Sequence, residues 1–357
     1  MKRIITLITA LLGLCLGLEQ PDASSGATVN RHQKTSASPI INLIGQCKIK
    51  NPYHYQNLTI FPIFALPESQ FEYLTLEQGI KQDYVEIKEL GNGQVNMVRV
   101  KNKSRHYIFG LAGELIIGAK QDRMLKEDIL IPPFSKWLEI PVYCTEHGRW
   151  TEQTQKFQSR GIMMPGVLRA KAMKTESQTE VWAGVDEVHA DLAVAPKTRA
   201  FKEVYESPNI QEKSQPYLKE LLPLPKKAKN IIGVIVSVGD EIICADLFAN
   251  PSLFERMWEK LLRSYVIDAL AKPTSNGISL DEAIYFLNSI TDGTFNNQAT
   301  PGAGKLVRIK TNISSGSALL FRGDVVHLDL FPESIIDFEH DDGPAPRLDI
   351  RRERLHR

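Results

Sequence analysis

Between residues 55 and 145, apolar and polar positions alternate over short distances. NLTIFPIFAL (57–66) is an almost unbroken apolar run, while DYVEIKEL (83–90) and QVNMVRVKN (94–102) alternate with period two. HYIFGLAGELIIGAK (106–120) and DILIPPFSKWLEIPVYC (128–144) add further short runs separated by turn residues. Successive side chains on a strand point to opposite faces, so this spacing predicts a set of half-buried strands. Pro132, Pro133 and Pro141 suit strand starts or edges, because proline donates nothing to a ladder. Thr75-x-x-Gln78 has the pattern of a capping box and predicts one short helix among the strands.

Beyond residue 177 the period lengthens. QTEVWAGVDEVHADL (178–192) places Trp182, Val185, Val188 or His189, and Leu192 at helical spacing, and TRAFKEVYES (198–207) adds another turn or two. IIGVIVSVGDEIICADLF (231–248) reads as a hairpin turning at Gly239-Asp240. The strongest helix is NPSLFERMWEKLLRSYVIDALAK (250–272). Asn250 is a good cap and Pro251 a good first residue. Its apolar residues from Leu253 to Leu270 recur at i, i+3, i+4 and i+7. Arg256, Lys260, Arg263, Ser264 and Asp268 fall on the other side, which predicts a solvated face. Ser279 with Glu282 opens a second capped helix, and KLVRIKT, SALLFRG and DVVHLDLF read as closing strands.

The N-terminus follows a different logic. Lys2 and Arg3 precede an apolar run from Ile4 to Leu18, followed by Gln20, Pro21 and Asp22. That is a signal-peptide pattern, and the run is shorter than the roughly 20 residues a membrane-spanning helix needs. The chain is therefore expected to be exported, periplasmic or secreted, with no stable membrane span once the signal is cleaved. Residues 1–18 form the signal and 19–44 a flexible linker. One α+β domain covers 45–332, β-rich over 45–150 as a sheet or small sandwich, then helical and stranded over 178–332. A charged, proline-containing tail (333–357) is expected to be disordered. Without Cys15, three widely spaced cysteines remain: Cys47, Cys144 and Cys244. One long-range disulfide with a free thiol, or buried unpaired thiols, both fit. A net charge of +1 over 357 residues gives no electrostatic case for nucleic acid.

Four segments, in order, resemble one family: GELIIGAKQDRML (113–125), IPVYCTEHGRW (140–150), VWAGVDEV (181–188) and DLFANPSLFERMWEKLLRSYVIDAL (246–270). It is the ARG and rhodanese-phosphatase-superfamily-associated protein domain, ARPP, a domain of unknown function. The resemblance spans roughly residues 55–275 and implies no established catalytic residues. The family's name records an association with ADP-ribosylglycohydrolases, which implies a role near nucleotide or ADP-ribose-type metabolism by association alone. His147 departs from the glutamine usual at that place.

Candidate chemistry concentrates in two of these segments. In YCTEHGRW, Glu146 or His147 suits acid–base work, Arg149 a two-pronged grip on an anion, and Trp150 a wall. A plain strand end with a polar turn explains the same residues. In GELIIGAKQDR, Glu114, Lys120, Gln121 and Arg123 surround a turn at Gly118 able to present donors to phosphate or carboxylate. On the long helix, Lys260 and Arg263 are either solvated or turned to a cleft. Tyr265 lies on the apolar side, so its hydroxyl needs a buried partner, for which Asp246 is placed. Asp186, Glu187 and His189 lack metal-ligand spacing. PGAGK (301–305) has Leu306 where a phosphate loop carries Ser or Thr. No metal and no cofactor is implied. The readings left open are a pocket for a small anionic, nucleotide-sugar-like ligand or partner, an acid–base hydrolase using Glu146 with His147 or Asp246 assisting, and an envelope scaffold that recruits a protein partner.

Overall fold

The apolar runs become the middle of one large sheet. The computed structural model describes residues 37–66, 71–91, 96–148, 154, 156–273 and 277–336. Its nine-stranded antiparallel sheet runs in the order Lys48–Ile49, Leu58–Phe64, Ile231–Val238, Glu241–Leu247, Asp324–Pro332, Ser314–Phe321, Lys305–Lys310, Thr294–Gln298, with Tyr53–Tyr55 also pairing Leu58–Phe64. Every residue of Ile231–Val238 is buried, because both faces of the sheet are covered. Val234, Val236 and Val238 face the long helix Pro251–Ala271. Ile232 and Ile235 face the opposite layer, built from residues 37–46 and the helix Leu280–Asn288.

Residues 73–158 form two smaller sheets. One is six-stranded: Phe157–Gln158, Leu115–Gly118, Arg123–Leu125, Leu138–Cys144, Met97–Asn102, Val85–Glu89. The other is three-stranded: Ile129–Ile131, Tyr107–Gly110, Tyr73–Thr75. The fold is α+β as expected, β-rich first and helical afterwards. The Thr75 and Ser279 capping boxes both form. Asn250 accepts the amide of Leu253 at 3.1 Å and starts a helix of 21 residues.

Several expectations need correction. Residues 37–44, read as linker, belong to a helix over 37–46. Ile40, Leu43 and Ile44 recur at i, i+3 and i+4 and are buried against the sheet, so burial overrides the Ser/Ala-rich composition. The tail begins with a helical turn, Glu333–Ile336, held by Glu333 pairing with Ser315 and Lys310. The rest of the tail, and residues 1–36, lie outside the described residues. Pro141 lies inside Leu138–Cys144 and not at its start. The face of the long helix expected to be solvated is largely buried: Lys260, Ser264 and Asp268 are all core residues. The PGAGK loop docks on the three-stranded sheet, the amide of Ala303 donating to the Leu130 carbonyl at 2.7 Å. Cys47, Cys144 and Cys244 are free thiols, and no helix among the described residues is long and apolar enough to cross a membrane.

Candidate functional site

Lys260, Ser264 and Asp268 follow one another at four-residue spacing, so they line one stripe of the long helix. The stripe faces inward. The Lys260 ammonium lies 2.5 Å from Glu114 Oε1 and 3.5 Å from Glu77 Oε2, with side chains 3% and 0% exposed for Lys260 and Glu114. One helical turn further on, Ser264 satisfies its hydroxyl on the Leu261 carbonyl. Asp268 then accepts the amides of Gly166 at 2.7 Å and Val167 at 3.3 Å, capping the helix Gly166–Thr175 from outside its own chain segment. Burial pushes the Asp268 carboxyl up to about 7 despite those two donors.

A cleft of about 420 Å³ opens above Lys260, between the capped helix Leu76–Lys81, the turn at Arg160–Gly161 and the long helix. Five cations line it, Lys81, Arg160, Arg256, Lys260 and Arg263, against two carboxylates, Glu77 and Glu259. Burial pushes the Glu77 carboxyl up, but Lys81 and Lys260 outweigh it and hold the group below its ordinary range. The rim cations are held by carboxylates on the solvent side. Arg263 reaches Glu259 at 2.7 Å, with both side chains well exposed, and Arg160 pairs with Glu206. Arg256 donates to the Tyr73 carbonyl at 2.9 Å and to Ser252 at 3.0 Å. Its Nε is buried with no hydrogen-bond partner among the described residues.

A second group joins the two sequence-predicted segments. The strand end Tyr143–Cys144 carries Thr145 and Glu146 beside the turn after Gly118. Glu146 is fully buried. Its Oε2 accepts the Asp122 amide at 3.2 Å and its carbonyl accepts Gln121 Nε2 at 2.8 Å. Arg123 binds Gln121 at 3.2 Å and Glu89 at 3.4 Å, while Lys202 binds Asp122 at 2.8 Å. Glu146 and Lys202 also line a separate hollow of about 530 Å³.

A third group has no opening to match its charge. His327 lies between Asp128, at 2.7 Å from Nδ1, and Asp246, at 3.2 Å from Nε2. Arg169 grips Asp246 with two bonds of 2.6 and 3.0 Å, and the Tyr265 hydroxyl donates to the same carboxylate at 2.6 Å. Asp329 lies 3.7 Å from Arg169 and accepts the amide and hydroxyl of Ser317. Burial disfavours charge on Asp246, but Arg169 and His327 overrule it and hold its carboxyl far below the usual range. Burial likewise disfavours the imidazolium, and the two aspartates reverse that and raise His327 to about 9. The crevice over Arg169 and Asp329 measures about 10 Å³, the room of a single water. This group ties the large sheet to the segment before Ile129–Ile131 and works as structure.

The sequence-predicted residues therefore divide. Glu114, Lys260 and Arg263 meet at the cationic cleft. Gln121, Arg123 and Glu146 meet at the second group, with Lys120 half-exposed beside it, its amide 3.3 Å from Glu89. Asp246 belongs to the third group and is Tyr265's partner, while His147 is exposed and stacks on Trp182 at 4.3 Å. Asp246 thus serves the third group, and Glu146 the second. Arg149 and Trp150 lie outside the described residues. One shared pocket for all of them is not what the fold builds, since the cleft over Lys260 and the hollow at Glu146 share no lining residue. Residues missed from sequence are Arg160, Arg256, Glu77 and Arg169. Arg256 and Glu77 stood in segments read for their helices and not for a site, and Arg160 and Arg169 had no signal but charge. Among the described residues, no group of three His, Cys, Asp or Glu side chains could hold a metal ion.

No curated protein and no solved structure matches this chain. The model of the ARG and Rhodanese-Phosphatase-superfamily-associated Protein domain, ARPP-1, matches residues 46–331. That range takes in all three sheets and every element of the cleft, and the chain belongs to the ARPP-1 family.

Proposed function

We propose that this protein binds a small anionic ligand in the cleft over Lys260. The observation that carries the reading is the convergence of five cationic side chains on one concavity of about 420 Å³, with a buried ammonium in its floor. The Arg263 and Arg160 guanidiniums suit planar, two-pronged recognition of phosphate or carboxylate oxygens. Their present partners, Glu259 and Glu206, are surface carboxylates whose pairs contribute little, so a ligand oxyanion displaces them at small cost. Lys260 stays paired with Glu114 and fixes the floor.

Thermal unfolding against a panel of nucleotides, ADP-ribose, sugar phosphates and dicarboxylates tests this. A ligand present at a hundred times its dissociation constant adds about 2.7 kcal/mol, a readable rise in midpoint. Arg263→Glu and Arg160→Glu alter exposed side chains and leave unliganded stability nearly unchanged, yet are expected to abolish the rise. A rise that survives both substitutions places the ligand elsewhere and sinks the reading.

A second reading, acid–base hydrolysis by Glu146, is supported by that buried carboxylate lining the hollow of about 530 Å³ beside the Lys202–Asp122 pair. The same panel, followed by product analysis, separates the two. Under hydrolysis Glu146→Gln removes turnover and spares binding. Export is the proposed route to the site of action, supported by Lys2, Arg3 and the apolar run Ile4–Leu18. Sequencing the N-terminus of the mature chain tests it.

A further inference from the structure

Residues 23–67 and 221–239 are two of several stretches of this nearly neutral chain that carry no acidic residue. Residues 23–67 hold Arg31, Lys34, Lys48 and Lys50, and residues 221–239 hold Lys226, Lys227 and Lys229. The fold brings the two stretches together. Phe64 of the first pairs with Ile231 of the second, which seats residues 48–50 and 226–230 at the same end of the large sheet. Two adjoining hollows of about 630 and 570 Å³ open there, and Lys50, Phe64 and Lys229 line both. Lys48, Lys50, Lys226, Lys227 and Lys229 are exposed, and none makes an ion pair among the described residues.

The floor between the lysines is apolar. Ile49, Pro62 and Phe64 line the hollows, the Lys50 ammonium lies 4.1 Å from the centre of the Phe64 ring, and Leu66 is 77% exposed at the edge. The nearest acidic pair in the flanking helix follows Leu280, and of these Glu282 is turned into its own capping box on Ser279. The helix over 37–46 ends in the second hollow with Gly45, Gln46 and Cys47.

We propose that this face rests on a membrane surface, the lysines meeting anionic lipid headgroups while Leu66 and Phe64 enter the headgroup boundary. Apolar side chains ringed by unpaired lysines match that occupant, because a bilayer offers a negative surface potential and an apolar layer together. An acidic protein groove would not call for the exposed leucine. The face is remote in sequence from the cationic cleft and independent of what that cleft binds.

Co-sedimentation of the full chain with vesicles tests it. Vesicles of phosphatidylcholine alone are compared with vesicles containing phosphatidylglycerol, for the natural chain and for Lys48→Ala/Lys50→Ala/Lys229→Ala. Whatever the N-terminal segment with Lys2 and Arg3 contributes is common to both chains, so the face is read as the part of the phosphatidylglycerol gain that the triple variant loses. Each lysine near an anionic surface is worth about a fivefold change in partition, so three removed together lower that gain on the order of a hundredfold. The gain of the natural chain also falls as salt is raised. A natural chain indifferent to phosphatidylglycerol, or a triple variant with an undiminished gain, overturns the proposal. Matching thermal midpoints of the two chains show that the variant is folded.

Discussion

The two oxygens of Asp246 accept from Arg169, His327, Tyr265 and, at 3.6 Å, the Cys244 thiol. A buried carboxylate is tolerated only when its lone pairs are filled, and here they are. His327 titrates within reach of experiment. Its value rises from 6.5 in the unfolded chain to about 9 in the fold, so its contribution is complete below pH 6.5 and is lost as pH climbs through 9. The size is on the order of 3 kcal/mol. Asp268 acts in the same direction at lower pH. Its carboxyl rises from 3.8 to about 7, so stability falls as pH increases across that interval. Thermal midpoints recorded from pH 4 to pH 10 should therefore decline in two windows. His327→Gln should flatten the upper window alone and lower the midpoint at neutral pH. An unchanged slope between pH 6.5 and 9 would show that His327 is neutral in the fold.

At the level of elements, strong periodicity was legible and weak periodicity was not. The long helix, the 231–248 hairpin and both capping boxes were read correctly, because each combines a regular apolar pattern with a terminal signal. The helix Gly166–Thr175 was not read. Its buried positions include Gly166, Arg169, Ala170 and Ala172, which are small or charged and carry no amphipathic signature. The helix Pro208–Leu221 was hidden by Pro216 inside it, a residue that normally argues against a helix. The edge strand Thr294–Gln298 is mostly exposed and polar, so no alternation marks it. Capping at Thr75 has a functional side, because Glu77 and Lys81 of the cleft stand on the helix it starts. Thr75→Ala is expected to cost about 1 kcal/mol of stability and to weaken any ligand of the cleft in parallel. Calorimetric unfolding together with ligand titration checks both. Loss of stability with unaltered affinity would detach the cap from the site.

Over the whole molecule, the cationic cleft exists because segments far apart in the chain converge. Glu114 and Lys260 are 146 residues apart, and their pair joins the six-stranded sheet to the long helix. Lys260→Met alone leaves Glu114 buried and unpaired, and is expected to cost about 3–5 kcal/mol. Adding Glu114→Gln removes the orphaned charge and should recover much of that loss. A double-mutant cycle by denaturant unfolding measures it, and additive losses would mean that the two side chains do not depend on each other.

The amino-acid sequence by itself determined the α+β class, the order of the principal strands and helices, the family and the need for a partner at Tyr265. All of these rest on local periodicity, caps or recognisable segments. Only the tertiary structure decided that Lys260 and Asp268 are buried rather than solvated, and that Glu146 and Asp246 belong to different groups. It also decided that Arg160 and Arg256 share a cleft with Arg263. A helical period states which residues share a face, whereas burial depends on what packs against that face. For the stripe of the long helix, that is the charged Glu114 and the open amides of Gly166 and Val167.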